Sequence, residues 1–542
     1  MPAASRGALL SHRGSAFIAR CERALGARYA PLAAGAITAL LVAFVWGGLS
    51  APGAYHDERA YLVQARLLAH FSWTAPAPPL PIFWEMAHLF VEPAIFAKYP
   101  PGHAPLLVPG IWLGLAGLVP ILFASISGAL TFALARRFAG VWVALGTWTV
   151  WTTVPETLDW HSSYFSETTT AALWLVALWL LVDWRARERP AVLVALVGCV
   201  GWMGITRPVT AMMLALPILV VVLRTAWTRR ALSGWPVAAA LGALIIAIVP
   251  YWSVRTLGEV SPLPYAEYSK WYFPWDMPGF VRDTAPPLRT LPPDLELLAD
   301  ATRQNYDGHT AEMMPVNFIA RSHRLLTGAL GPVAEPLWVL VPLGALALGG
   351  AVTGFALASF VLLLGVYLVM PHSPGWTIYY LELMPLVVFL AITGLARATA
   401  LVAEIANQRG WRRLAPHRIR LAVGLVVAGM VLLTITKIPD RRWHERLRSS
   451  RQLLARQLIA ELPDPHAVIF VRRTSPMSAH FTLWDILGPP ATTPTWIVRD
   501  LGAGRDADLV ALANGRRPYI LDEATMTLSE WTPVSAARVP TP

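Results

Sequence analysis

Apolar residues gather in eleven long runs along the chain, near 32–50, 119–135, 141–155, 168–182, 191–206, 208–223, 233–252, 333–349, 352–370, 378–396 and 421–437. Runs of this kind, with few charges inside them, are the pattern of helices that cross a bilayer. The stretches between them differ in character. "ARRFAG", "DWRARERP", "RTAWTRR" and "RATALVAEIANQRGWRRLAPHRIR" all carry arginine, and so does the tail 1–30, with Arg6, Arg13, Arg20, Arg23 and Arg28. Positive charge marks cytoplasmic loops. These segments are therefore expected on the cytoplasmic side, and 51–118, 253–332 and 438–542 on the other. Eleven spans close that alternation.

The outer segments have patterns of their own. The first two are rich in Trp, Tyr and Pro, as suits loops lying on a membrane interface. Within the first, "DERAYLVQARLLAHF" reads as a helix lying flat in the interface. Arg59, Arg66 and His70 line its narrow polar stripe, and Ala60, Val63, Leu67, Leu68 and Phe71 form a broad apolar face. Residues 438–542 hold no further span. There "HAVIFVRR", "TWIVRD" and "RPYIL" read as strands and "RDADLVALANG" as a helix, which predicts a small extracytoplasmic α/β domain. The expected division is a cytoplasmic basic tail at 1–30, a transmembrane part at 31–437 and that domain at 438–542.

Composition agrees with the pattern. Of 542 residues 55% are hydrophobic and 14% charged, and the mean hydropathy is +0.50. An ordinary water-soluble globule is excluded. The net charge of +11 is scattered between apolar runs as topology signals, so nucleic acid is not an expected partner. Cys21 and Cys199 lie in the basic tail and inside an apolar run, a placement that suits neither a disulfide nor a metal site. The first apolar run reads as an anchor rather than a cleaved leader. Lysine is rare: only Lys98, Lys270 and Lys437 occur.

Several polar residues sit where hydrocarbon should begin. Asp57 and Glu58 open the helix-like stretch in the first outer segment, where a helix dipole favours negative charge. They are either simple N-terminal charges or groups that do chemistry. Lys98, in "FAKYPPGHAPLL", either snorkels or meets an anionic lipid head group as a point charge. "LDWHSSYFSETTTAALW" brings Asp159, His161 and Glu167 to the entrance of an apolar helix, with Glu167 deepest; carboxylates at such places are candidates for function. "GITRPVTA" puts Arg207 at a turn between two spans. "MPHSPGWTIYYLELMP" adds His372, Tyr379, Tyr380 and Glu382, where an aromatic belt accounts for Tyr380. All are expected on one membrane face. Acids that can take a proton from a hydroxyl, beside cations that can neutralise a departing phosphate, suit group transfer at the membrane surface. A transporter would place its charges near the middle of the bilayer. A lipid or polysaccharide transporter, or a non-catalytic assembly scaffold, is the alternative reading.

"HDERAYLVQARLL", "KYPPGHAPLL", "ARRFAGVWVALG", "SSYFSE", "GITRP" and "IYYLELMPLVVFLAITGL", in this order over most of residues 30–400, resemble the integral-membrane GT-C glycosyltransferases. The resembling branch is that of the protein O-mannosyltransferases and the lipid A aminoarabinose transferase. The resemblance implies an all-α polytopic GT-C fold. It also implies a polyprenyl-phosphate sugar donor, a protein, lipid or glycan acceptor outside the cytoplasm, and inversion at the anomeric carbon. It places Asp57 as the catalytic base, Glu58 as its motif partner and Glu167 at a second acidic position where Asp is more usual. Lys98, and more weakly Arg207, would bind the donor phosphate. No metal or cofactor is implied for this branch, and the inner membrane is the implied location.

Overall fold

The computed structural model describes residues 16–231, 233–280, 285–410, 416–473 and 492–532. Eight helices among them are long and apolar enough to cross a membrane, from Leu118–Ala139 to the run Leu421–Ala460. A ninth span arises if Ala16–Gly26 and Ala30–Trp46, bent by 81°, are taken together. The protein is a multi-pass membrane protein. Two of the eleven expected spans are shorter helices. Val141–Thr153 has 13 residues, about 20 Å at 1.5 Å per residue, against hydrocarbon about 30 Å thick. Proline ends it: Val154 is extended, and Pro155 opens a separate short helix, Pro155–His161, because the residue before proline is driven from the helical region. Pro190–Thr206 has 17 residues and is ended in the same way by Arg207-Pro208.

The spans pack around one large apolar core that includes Trp151, Trp174, Leu214, Leu363 and Val388. Without water to drive helices together inside a bilayer, close backbone approach between small residues does much of the joining. Helices Val341–Ala347 and Met384–Gln408 cross in this way. A Cβ on Gly344 would lie 1.8 Å from the Leu390 carbonyl oxygen, and one on Gly394 would lie 2.1 Å from that of Leu340.

The three expected outer segments pack on one another. In the first, His56–Ala69 forms the expected helix, but it does not lie bare on an interface. Ala60, Val63 and Leu67 share a core with Phe83 and Trp84 of their own segment and with Val468, Phe470 and Val498 near the C-terminus. Arg59, expected on an open polar stripe, is buried. After it come β1 (Ala75–Pro76), β2 (Leu89–Phe90) and β3 (Ala94–Ala97), an antiparallel sheet in the order β1-β3-β2. The second segment docks on it: Tyr268, Tyr272 and Leu295 form a core with Phe90 and Phe96.

Near the C-terminus, β4 (Ala467–Arg472), β5 (Trp496–Arg499), β6 (Arg517–Asp522) and β7 (Thr527–Glu530) form a sheet in the order β5-β4-β6-β7. β4 runs parallel to both neighbours and β7 is antiparallel to β6. Successive strand residues face opposite ways, so β4 is covered on both sides. Val468 and Phe470 meet the first outer segment. Ile469 and Val471 meet a core with Ala455 of the helix Ile438–Ala460. The sequence reading found β4, β5, β6 and the helix Ala503–Leu512; it missed β7 and Ile438–Ala460. Arg499 fastens the sheet down, donating to the Ile82 and Glu85 carbonyls at 3.0 and 2.8 Å and to Asp294 at 2.6 Å.

Candidate active site

The site is assembled from chain turns. Lys98 directly follows β3, and its N–H donates to the His88 carbonyl at 3.1 Å. Gln64 accepts from the Ala97 N–H at 3.0 Å, tying that strand end to the helix carrying Asp57. Beyond it, "YPPGH" presses on the Arg207 corner. The Gly102 N–H donates to the Ile205 carbonyl at 2.8 Å, and a Cβ at Gly102 would fall 2.3 Å from Thr206 Oγ1. Only glycine permits that approach. Arg207 itself sits between two helices with φ −139° and ψ 85°, the extended conformation that Pro208 demands.

Asp57 and Glu58 are neighbours in sequence with different surroundings. Asp57 accepts a hydrogen bond from the Tyr99 hydroxyl on Oδ1, with His88 Nε2 3.6 Å from Oδ2. Its side chain is still 28% exposed, which leaves room for a further partner. Burial, and then the Asp57 charge, hold the Tyr99 phenol well above its usual pKa, so Tyr99 stays a donor. Glu58 is buried and fully engaged. Its Oε2 accepts from the Ala54 and Tyr55 N–H groups at 2.7 and 2.8 Å, and its Oε1 from the Tyr164 N–H at 2.9 Å. It caps its own helix and pins residue 164 alongside. Burial raises its pKa against the pull of those three donors.

From Tyr99 the cluster continues inward. Its ring stacks on Tyr61, with centroids 4.5 Å apart, and Tyr61 donates to Ser166 Oγ at 2.8 Å. Glu167 follows, with Oε1 2.5 Å from Arg207 Nη1 and Oε2 accepting from Ser166 Oγ at 3.2 Å. Arg207 also donates to the Tyr367 hydroxyl at 2.7 Å and lies 5.5 Å from the Tyr379 ring centroid. Lys98 lies at the other end. Its side chain is 2% exposed, and Nζ is 3.2 Å from Asp276 Oδ2 and 4.5, 4.9 and 5.5 Å from the ring centroids of Tyr265, Tyr268 and Tyr99.

Asp57, Lys98, Glu167 and Arg207 are thus joined through Tyr99, Tyr61 and Ser166, and Glu58 braces the same helix from behind. Among the other edge residues, Glu382 stays within electrostatic reach of Arg207 and Glu167, while Asp159, His161 and His372 are held by other partners. Asp159 pairs with Arg441 of Ile438–Ala460 at 3.1 Å, burial raising its pKa. His161 bonds the Thr157 carbonyl at 2.9 Å, and His372 lies 3.1 Å from the Tyr380 hydroxyl. Glu382 accepts from Thr170 Oγ1. Sequence reasoning missed Tyr61, His88, Ser166 and Asp276. The signal for Asp276 was present in the aromatic stretch "YAEYSKWYFPWDMPGF", but nothing in it names the partner.

A buried histidine carries part of the framework. His103 spans the Thr169 hydroxyl and the Tyr164 carbonyl, each at 2.8 Å. A carbonyl only accepts, so Nε2 holds the proton and Nδ1 accepts from Thr169. Loss of solvent lowers its pKa to about 4, while an unfolded histidine titrates near 6.5. Between those values the unfolded chain binds the extra proton, so stability falls as pH falls through that window. The melting temperature should drop from pH 7 to pH 5, and less steeply in His103→Gln. An identical slope in that variant would assign the loss to other groups.

No protein-family model and no curated protein sequence matches the chain. Solved structures do. The chain superposes on ArnT from Cupriavidus metallidurans in the apo state with a TM-score of 0.53 and 15% identity, over 90% of this chain and 92% of that one. With the same protein bound to undecaprenyl phosphate the TM-score is 0.50 at 16% identity, over 94% of this chain and 97% of that one. Such likeness over nearly the whole of both chains, at low identity, is a likeness of architecture, and this protein has the GT-C membrane fold.

Proposed function

We propose that the protein is an inverting membrane glycosyltransferase that uses a polyprenyl-phosphate-linked sugar and acts on the extracytoplasmic side of the inner membrane. The observation carrying this reading is the cluster in which a partly open carboxylate, Asp57, is joined through Tyr99 to the sequence neighbour Lys98. An acceptor hydroxyl on the open side of Asp57 gives up its proton to the carboxylate. Its oxygen attacks the anomeric carbon from the face opposite the phosphate. The bond from that carbon to the phosphate oxygen breaks, and Lys98 neutralises the charge the phosphate takes with it. Arg207 adds positive potential, moderated by Glu167, which fixes its guanidinium. Glu58 is a positioning residue, setting the first turn that aims Asp57. The acceptor is a protein, lipid or glycan hydroxyl.

The structural kinship with a protein solved with undecaprenyl phosphate supports the donor class. A photoreactive undecaprenyl phosphate should crosslink within residues 94–103, and excess unlabelled lipid should suppress the adduct. Labelling confined to the cytoplasmic loops would contradict the reading. Topology gives an independent check. Reporters fused after Leu257 and at the C-terminus should both register the exterior; a cytoplasmic C-terminus would put the proposed site on the wrong side of the membrane.

A further inference from the structure

Lys98 raises a question of charge balance. An ammonium group this deeply buried needs an anion beside it, and the described residues supply one, Asp276 at 3.2 Å. The aspartate is itself held by a phenol, since the Tyr306 hydroxyl donates to its other oxygen. A lysine and a phenol converging on one anion, walled by the tyrosine rings around Nζ, make a donor set that suits a phosphate oxygen as well as a carboxylate. Asp276 lies in a short turn after the helix Pro264–Tyr272. Its N–H donates to the Phe273 carbonyl at 2.8 Å, and its carbonyl accepts from Ser269 Oγ at 3.1 Å. Its side chain, unlike that of Lys98, is 23% exposed, so the carboxylate has solvent to swing into.

We propose that Asp276 is a resident counter-anion of the donor-phosphate site, pairing with Lys98 while the site is empty and yielding Lys98 and Tyr306 to the incoming phosphate. The proposal rests on the phosphate-binding reading of Lys98. Two anions cannot share one buried lysine without strong repulsion. A phosphate brings more charge and more acceptor oxygens than a carboxylate, so it wins the contact once it arrives. In the empty protein, Asp276 occupies the ammonium group and stops smaller anions from settling there. It therefore sets donor affinity by opposing it.

The sign of one substitution tests this. Asp276→Asn keeps the size and the bond from Tyr306 but removes the charge. Undecaprenyl phosphate titrated into the detergent-purified full chain, followed by tryptophan fluorescence, should bind about fivefold or more tightly to Asp276→Asn than to wild type. Uncharged undecaprenol should not distinguish the two. The gain should vanish when Lys98→Met is added, because the two anions then have no cation to compete for. Unchanged or weaker binding in Asp276→Asn, with melting as in wild type, would overturn the proposal and make Asp276 a fixed support for Lys98. Should Lys98→Met alone bind as wild type does, the phosphate reading of Lys98 fails, and the proposal fails with it.

Discussion

Asp57→Asn should reduce sugar transfer by roughly 10²–10⁴-fold, the usual cost of losing a general base, while leaving the protein folded. The amide keeps the carboxylate's shape and can still accept from Tyr99, whose hydroxyl points at Oδ1. It cannot take a proton from the acceptor at neutral pH. If Asp57 were only a charge at the start of a helix, the change would cost about 1 kcal/mol of stability at most, with near-normal rates. The neighbouring position supplies the contrast. Glu58→Gln breaks at least one of three bonds from backbone N–H groups, each worth about 1.5–3 kcal/mol when the acceptor is charged, so it should lower the melting temperature. Turnover near wild type in Asp57→Asn would move the base elsewhere, with Glu58 and Glu167 next to test.

Lys98→Met should likewise depress turnover strongly, on the order of 10²-fold or more, as expected when a preorganised charge partner is removed from a developing anion. Methionine fills similar space among Tyr265, Tyr268 and Tyr99 but brings no charge. Lys98→Arg should retain part of the rate, because the phosphate needs a positive charge at that point more than a particular shape. Single-turnover measurements on donor-loaded protein check both variants. A methionine variant that turns over normally would make Lys98 a structural partner of Asp276 alone.

The bundle was legible because a bilayer demands long apolar runs, and it blurred where length and proline compete. The run 141–155 is apolar enough to span, but Pro155 cuts its helix at Thr153. The candidate site was legible in its individual residues and not in their pairing. Lys98 stood out because lysine is rare, and Asp57 and Glu58 because acids are costly beside hydrocarbon. Adjacent residues on a helix point about 100° apart, so Asp57 turns toward Tyr99 and Glu58 toward the backbone at residue 164; one-dimensional pattern does not say which goes where. Asp276 reaches Lys98 across 178 residues, through loop packing that no local periodicity encodes. The helix His56–Ala69 shows the same thing: it looks amphipathic alone, and the sheet that helps to cover its apolar face comes from the far end of the chain.

Transfer from a polyprenyl-phosphate sugar can be followed directly in a membrane. The purified full chain is placed in liposomes containing isotope-labelled, undecaprenyl-phosphate-linked sugars drawn from host membranes, together with an extract of host envelope acceptors. Label should move to an acceptor while free undecaprenyl phosphate appears in equal amount, and Asp57→Asn should do neither. Labelled lipid that crosses the bilayer with its sugar still attached, or stays unchanged, would contradict such transfer and leave a transporter or an assembly scaffold as the function.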